Sequence, residues 1–93
     1  MELKITNHKN FFKIVGSLNK ENMDVFNNTF NDVFDRVKNL TISIEEVETM
    51  DEFGISALTH LYNLSKIGNR SMSVIGDGNR ELYKHFEHHT TAA

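Results

Sequence analysis

The chain has 93 residues, with ten basic and thirteen acidic side chains and no cysteine. A chain this short forms one modest core and buries only about 60–65% of its unfolded surface, which leaves little room for a deep substrate cleft. Because no run of Lys and Arg occurs, non-specific attraction to nucleic acid or to anionic lipid is not expected. The absence of cysteine excludes disulfides and thiolate chemistry.

The N-terminal segment also argues against secretion. Residues 1–10 lack the charged start and apolar stretch of a signal peptide, and no apolar run reaches the ~20 residues that span a bilayer. We therefore expect a cytoplasmic protein without membrane insertion. We expect one domain over residues 1–93, in which residues 88–93 form a frayed tail.

The first elements along the chain form a predicted β-hairpin. Residues 2–6 alternate, with Leu3 and Ile5 on one face, and the sequence NHKN that follows is a turn signal. The next run, FFKIVGSL, predicts a second strand that ends near Gly16. Phe11 and Phe12 are adjacent, so one of the two is expected to face outward.

From Asn19 onward the apolar residues recur every three or four positions instead of every two, which predicts a helix. Asn19 or Asn22 can cap its start, because a short side-chain oxygen accepts hydrogen bonds from the first free backbone N–H groups. The spacing predicts one continuous helix whose apolar face carries Met23, Phe26, Phe30, Val33, Phe34 and Val37.

The second half of the chain repeats this strand-and-helix alternation. A third strand alternates over residues 40–44, a second helix ends at Gly68, and the sequence SMSVIG predicts a fourth strand. Asn79 then caps a last amphipathic helix. The order is ββαβαβα, and crossover helices between strands predict an α/β fold with a mixed, mostly parallel four-stranded sheet and helices packed against it. The apolar residues of the last two helices are Ile55, Leu58, Leu61, Tyr62, Leu64, Leu82, Tyr83 and Phe86.

Two acids, Asp51 and Glu52, stand where the third strand turns into the second helix. A catalytic carboxylate pair needs two different environments with a pocket between them, and adjacent positions on a turn do not aim both groups at one substrate atom. Acids at a helix N-terminus instead accept backbone N–H bonds and meet the positive end of the helix dipole. We predict that Asp51 caps the helix.

The other polar clusters predict neither a metal site nor a cofactor. His85, His88 and His89 share a helix face at i, i+3 and i+4, but no Cys or well-placed carboxylate completes a buried site, so a solvated helix end is expected. His60 is expected on the polar face of the second helix. The sequence GDGN at residues 76–79 lacks the G-x-G-x-x-G fingerprint and predicts a turn. No catalytic residue is predicted, and an enzyme is not indicated.

Four segments together resemble the STAS domains, typified by bacterial anti-anti-sigma factors. IVGSLN at residues 14–19 is similar to the family's Gly-x-Leu-Asp ending of the second strand, with Asn19 in the place of Asp. LTISIEEVETMDEFGISAL at residues 40–58 is similar to its central strand, followed by Met-Asp-Ser-Ser-Gly-Leu at a helix start. GNRSMSVIG at residues 68–76 and NRELYKHF at residues 79–86 resemble its fourth strand and third helix.

This resemblance implies a non-catalytic regulator of transcription that acts through protein–protein contacts. Its partner is expected to be an anti-sigma factor or kinase with an ATPase fold. The family's phosphorylated Ser falls on Glu52 and the second Ser on Phe53, so Glu52 is expected to imitate phosphoserine permanently with part of its charge. Ser56 and Thr59 are possible alternative phosphosites. The partner-binding residues implied are Asp51, Glu52, Phe53, Gly54, Ile55, Ser56, Thr59, His60 and Asn63.

Several alternatives remain open at this point. Phe53 either anchors a partner or packs back over the helix start as part of the core. Gly54 either lets the backbone turn tightly or lets a partner approach closely. The domain is alternatively a constitutive STAS-like subunit of a transport or stress-signalling complex. A third possibility is a small-ligand-binding module with an anion or nucleotide site at the GDG turn or at the loop above the strands.

Overall fold

Four strands form one sheet in the computed structural model, which describes residues 2–76. The strands are β1 (Leu3–His8), β2 (Phe11–Leu18), β3 (Asn39–Met50) and β4 (Ser71–Ile75). They lie in the order β1-β2-β3-β4; β1 pairs antiparallel with β2, and the other two pairings are parallel. The hairpin and the mixed, mostly parallel sheet of the sequence analysis are confirmed.

The two parallel pairings require crossover connections, and helices supply both. A 3-10 turn (Lys20–Asn22), α1 (Met23–Phe30) and α2 (Val33–Arg36) connect β2 to β3, and α3 (Glu52–Ser65) connects β3 to β4. Both crossovers advance across the sheet in the same direction. Because such connections are almost always right-handed, α1 and α3 lie on the same face of the sheet. The predicted helix from Asn79, the three C-terminal His residues and the tail lie outside the described residues.

The core lies between this face and the helices. Alternate strand residues point into it, so that Ile14 on β2 and Ile42 and Ile44 on β3 are fully buried. Leu58 of α3 packs into the same cluster and has no exposed surface. Of the two adjacent phenylalanines on β2, Phe12 is buried and Phe11 is 38% exposed, which confirms that one faces outward.

The first predicted helix is not continuous, and that part of the prediction was wrong. The chain leaves the helical conformation at Asn31, and Asp32 takes a left-handed conformation with φ of 61°. Asp is one of the few non-glycine residues that adopt this conformation at moderate cost. The break separates α1 from α2, yet Val33 remains 1% exposed within the core. The spacing of apolar residues therefore predicted correctly which side chains are buried, but it wrongly predicted one unbroken helix.

The ends of the elements also differ from the predicted ones by a few residues. β2 continues past Gly16 to Leu18, and β3 continues through Met50. The α3 helix stops at Ser65, three residues before its predicted end at Gly68, and Gly68 takes a positive φ of 74° in the following loop. β2 and β3 both finish at the same end of the sheet, and the candidate site lies at that end.

Candidate functional site

Asp51 caps the start of α3 and also binds the loop that follows β2. Its Oδ1 accepts hydrogen bonds from the backbone N–H groups of Phe53 and Gly54, both at 3.0 Å, which confirms the predicted cap. Its Oδ2 accepts from the backbone N–H of Lys20 at 3.1 Å. Lys20 begins the 3-10 turn after β2, so one carboxylate holds together the loops that follow two neighbouring parallel strands.

These contacts also set the protonation of the cap. Partial desolvation raises the pKa of Asp51, but hydrogen bonds from the backbone of Gly54, Lys20 and Phe53 outweigh it and hold the pKa below its ordinary value. The carboxylate is therefore ionised at neutral pH. A charged acceptor makes a stronger cap, because a hydrogen bond to an ionised group is stronger than one between two neutral groups.

Gly54 brings α3 close to the end of β2. A Cβ at this position would lie 2.4 Å from the carbonyl oxygen of Leu18 and 2.8 Å from Cγ of Met50. The same Leu18 oxygen accepts the backbone N–H of Asp51 at 3.3 Å. Gly54 is buried, so the close approach it permits is between two parts of this chain.

Glu52 and Phe53 occupy the first turn of α3 and are exposed. Phe53 is 44% exposed and stands outside the core cluster, so it does not pack back over the helix start. The ammonium nitrogen of Lys20 lies 5.5 Å from the centroid of its ring, a cation–π geometry. The surface thus presents an aromatic ring beside one acid and one amine.

The remaining predicted site residues lie further along α3. Ser56 and Asn63 are exposed, and Thr59 is half-buried with its hydroxyl donating to the carbonyl of Ile55 at 2.8 Å. His60 is exposed and lines a cleft between the helices, away from the first turn. The structure therefore brings Asp51, Glu52, Phe53 and Gly54 together at the end of the sheet where β3 finishes, and it separates His60 from them.

Lys20 is the neighbour of this surface that the sequence did not reveal. Its loop is shaped by Asn19, whose Oδ1 accepts the backbone N–H of Asn22 at 3.2 Å and so caps the 3-10 turn that leads into α1. The side-chain amide of Asn22 donates a hydrogen bond to the carbonyl of Ser17 at 2.9 Å. The approach of Lys20 to Asp51 joins residues that lie 31 positions apart, so no local signal marks it.

Two kinds of feature are absent from residues 2–76. No group of three or more His, Asp or Glu side chains in that range is placed to hold a metal ion. None of its helices combines the length and the apolar character needed to cross a membrane.

The sequence profile of the STAS domain matches residues 1–86, which is nearly the whole chain. The chain belongs to the STAS domain family. STAS domains are generally non-catalytic regulatory modules. No curated protein matches the chain in sequence.

Solved structures support the same fold. The anti-sigma factor antagonist SpoIIAA in its unphosphorylated form aligns with a TM-score of 0.63 at 11% identity, over 88% of this chain and 81% of SpoIIAA. An uncharacterized DUF3478 protein with a SpoIIAA-like fold, from Shewanella loihica PV-4, aligns with a TM-score of 0.54 at 18% identity, over 95% of this chain and 77% of that protein. At these identities the likeness establishes the fold alone.

Proposed function

We propose that this STAS domain is a cytoplasmic, non-catalytic regulatory module of the anti-sigma factor antagonist kind. It binds an anti-sigma factor or kinase with an ATPase fold through the first turn of α3. The observation that supports this is the exposed pair Glu52 and Phe53, placed on a rigid, Asp51-capped helix start. A rigid element that presents a charge and an exposed aromatic ring has the composition of a protein-binding surface.

Glu52 determines how the surface is regulated. A helix N-terminus favours negative charge, and phosphoserine there carries about −1.5 to −2. Glutamate carries at most one negative charge and accepts no phosphate from a serine kinase. The domain therefore keeps a fixed phosphoserine-like charge at this position. Ser56, one turn further along and exposed, and Thr59 are the two hydroxyls nearest to Glu52 on α3 at which phosphorylation could still act.

Phe53 supplies the apolar anchor of the same surface. Aromatic side chains at the centre of an interface contribute a large share of binding energy, provided that a partner desolvates them. Phe53 is 44% exposed, which leaves area for a partner to cover, and Lys20 already shows that a cation fits over one face of the ring.

The test is an affinity capture of partners with the natural protein, Glu52→Ser and Glu52→Lys, followed by mass spectrometry and by a phosphorylation assay with the captured kinase. We expect an ATPase-fold kinase to bind Glu52→Ser better than the natural protein and to phosphorylate Ser at that position. Asp35→Lys is the matched control, because it makes the same charge change on an exposed residue of α2, at the other end of the sheet.

Two results would contradict the proposal. One is capture of no ATPase-fold protein by any of the variants. The other is a transport or scaffold protein that is retained by the natural form and lost with Glu52→Lys, which would identify a constitutive subunit instead.

A further inference from the structure

A cleft of about 400 Å³ opens between α1, α2 and α3, and nothing in the proposed function uses it. Its lining includes Arg70, directly before β4, and Asp35, four residues before β3, whereas the Glu52 surface lies where β2 and β3 end. The two sites therefore occupy opposite ends of the sheet. The volume is within the range of about 300–1,000 Å³ that is typical of small-molecule sites.

The floor of the cleft is apolar. Phe30 and Leu61 lie at its base and are almost fully buried, whereas Phe34 and Leu64 are half-buried and offer their surface to an occupant. Ala57 leaves space on the α3 side, because its side chain is a single methyl group. This floor suits a compact apolar or aromatic group, which gains free energy when it leaves water.

The rim of the cleft carries opposite charges on its two sides. Asp32 and Asp35 line it from the helix break and α2, and Arg70, the residue directly before β4, lines it from the β4 side. Asp32 holds its place on the rim through the left-handed backbone conformation that separates α1 from α2. The break in the helix thus also shapes the acidic side of the cleft.

Arg70 is the group most clearly available to a ligand. Its guanidinium carbon lies 5.5 Å from the centroid of the Phe34 ring, and no carboxylate of the described residues forms an ion pair with it. None of the hydrogen bonds among the described residues uses a guanidinium N–H group of Arg70. Those groups match a carboxylate with two parallel hydrogen bonds.

The charge pattern selects one class of ligand. A simple anion would meet Asp32 and Asp35, a simple cation would meet Arg70, and a neutral molecule would leave both sides of the rim without a partner. We propose that the cleft binds a free apolar or aromatic amino acid as its zwitterion. The ligand's carboxylate pairs with Arg70, its ammonium group pairs with the two aspartates, and its side chain packs on the apolar floor.

The test is an NMR titration of the ¹⁵N-labelled full chain with L-phenylalanine and L-leucine, up to about 10 mM, which detects a dissociation constant of about 1 mM. We expect shifts of the backbone amides of Asn31, Ala57 and Leu64, with the amides of Glu52 and Phe53 unmoved. Phenylacetate lacks the ammonium group and phenethylamine lacks the carboxylate. Each is expected to bind at least about tenfold more weakly, since each loses one charge-assisted interaction.

Two single substitutions test which protein side chain binds the carboxylate of the ligand and which binds its ammonium group. Arg70→Gln is expected to weaken L-phenylalanine at least about tenfold while leaving phenethylamine unchanged, and Asp35→Asn is expected to weaken phenethylamine. The matched control is Lys66→Gln, because Lys66 also lies over an aromatic ring, at 4.8 Å from the centroid of Tyr62, and neither residue lines the cleft. This control is expected to bind like the natural protein.

The outcomes that overturn the proposal are equally specific. Absence of cleft shifts with both amino acids overturns the site. Equal binding of phenylacetate and L-phenylalanine, or unchanged L-phenylalanine binding by Arg70→Gln, overturns the zwitterion. None of these three results bears on partner capture through Glu52.

Discussion

Replacing Gly54 with alanine sets two effects on α3 against each other. Alanine is favoured over glycine in a helix by about 1 kcal/mol, so helix propensity alone predicts a more stable protein. The structure predicts the opposite sign, because the added Cβ would lie 2.4 Å from the carbonyl oxygen of Leu18, roughly 1 Å inside ordinary contact.

The magnitude follows from what must move. The carbonyl of Leu18 is backbone in a buried strand and accepts the N–H of Asp51, so α3 has to shift and weaken that hydrogen bond. Overpacking of this kind costs about 1–3 kcal/mol, and a weakened hydrogen bond about 1 kcal/mol more. After the gain in helix propensity, we expect Gly54→Ala to lower the free energy of unfolding by about 1–3 kcal/mol.

The assay is urea unfolding followed by circular dichroism, together with thermal melting. Each kcal/mol corresponds to about 4–8 °C in Tm for a domain of this size. Ser56→Ala is the matched control in the same helix, because it is exposed and should raise stability by a few tenths of a kcal/mol, about 0.5 at most. A Gly54→Ala protein as stable as the natural one, or more stable, would refute the close packing of α3 on the end of β2.

Three further predictions concern the cap, the core and the surface. The pKa of Asp51 is lower in the folded protein than in the unfolded chain, so its contribution to stability is present above the unfolded pKa of about 3.8 and is lost as the pH falls through the folded value. When the free energy of unfolding is measured against pH in acid, Asp51→Asn should therefore lose less stability over this range than the natural protein. Leu58→Ala should lower the free energy of unfolding in urea by about 2–5 kcal/mol, whereas Ile67→Ala, at a site 60% exposed, should change it by less than about 0.5 kcal/mol. Phe53→Ser should change the melting temperature by less than about 4 °C and weaken capture of the partner; a less stable protein with unchanged capture would show that the ring serves the fold instead.

The sequence predicted those features that depend on neighbouring residues. Alternation placed Ile42 and Ile44 in the core, and an acid directly before an apolar helix pattern identified Asp51 as a cap. Both arise from local geometry: the two-residue period of a strand and the free N–H groups of a helix start. The element order and four sequence segments together suggested the STAS family, which the profile match then confirmed.

What the sequence did not predict depends on tertiary packing. The apolar spacing ran unbroken from Phe30 to Val33 and Phe34, because those side chains face the core on both sides of the break at Asp32. Exposure of Phe53 depends on whether the core has room for it, which spacing alone does not encode. The approach of Lys20 to this ring is set by the Asp51 bridge, a contact between segments distant in the chain.

That bridge also affects the thermodynamics of any association at this edge. Ordering a loop on binding costs conformational entropy for each residue that is immobilised. Asp51 fixes the start of α3 with one oxygen and the loop after β2 with the other, so both backbones are already ordered in the free protein. A partner that contacts both segments meets a preorganised surface, and more of its interaction energy is retained as affinity.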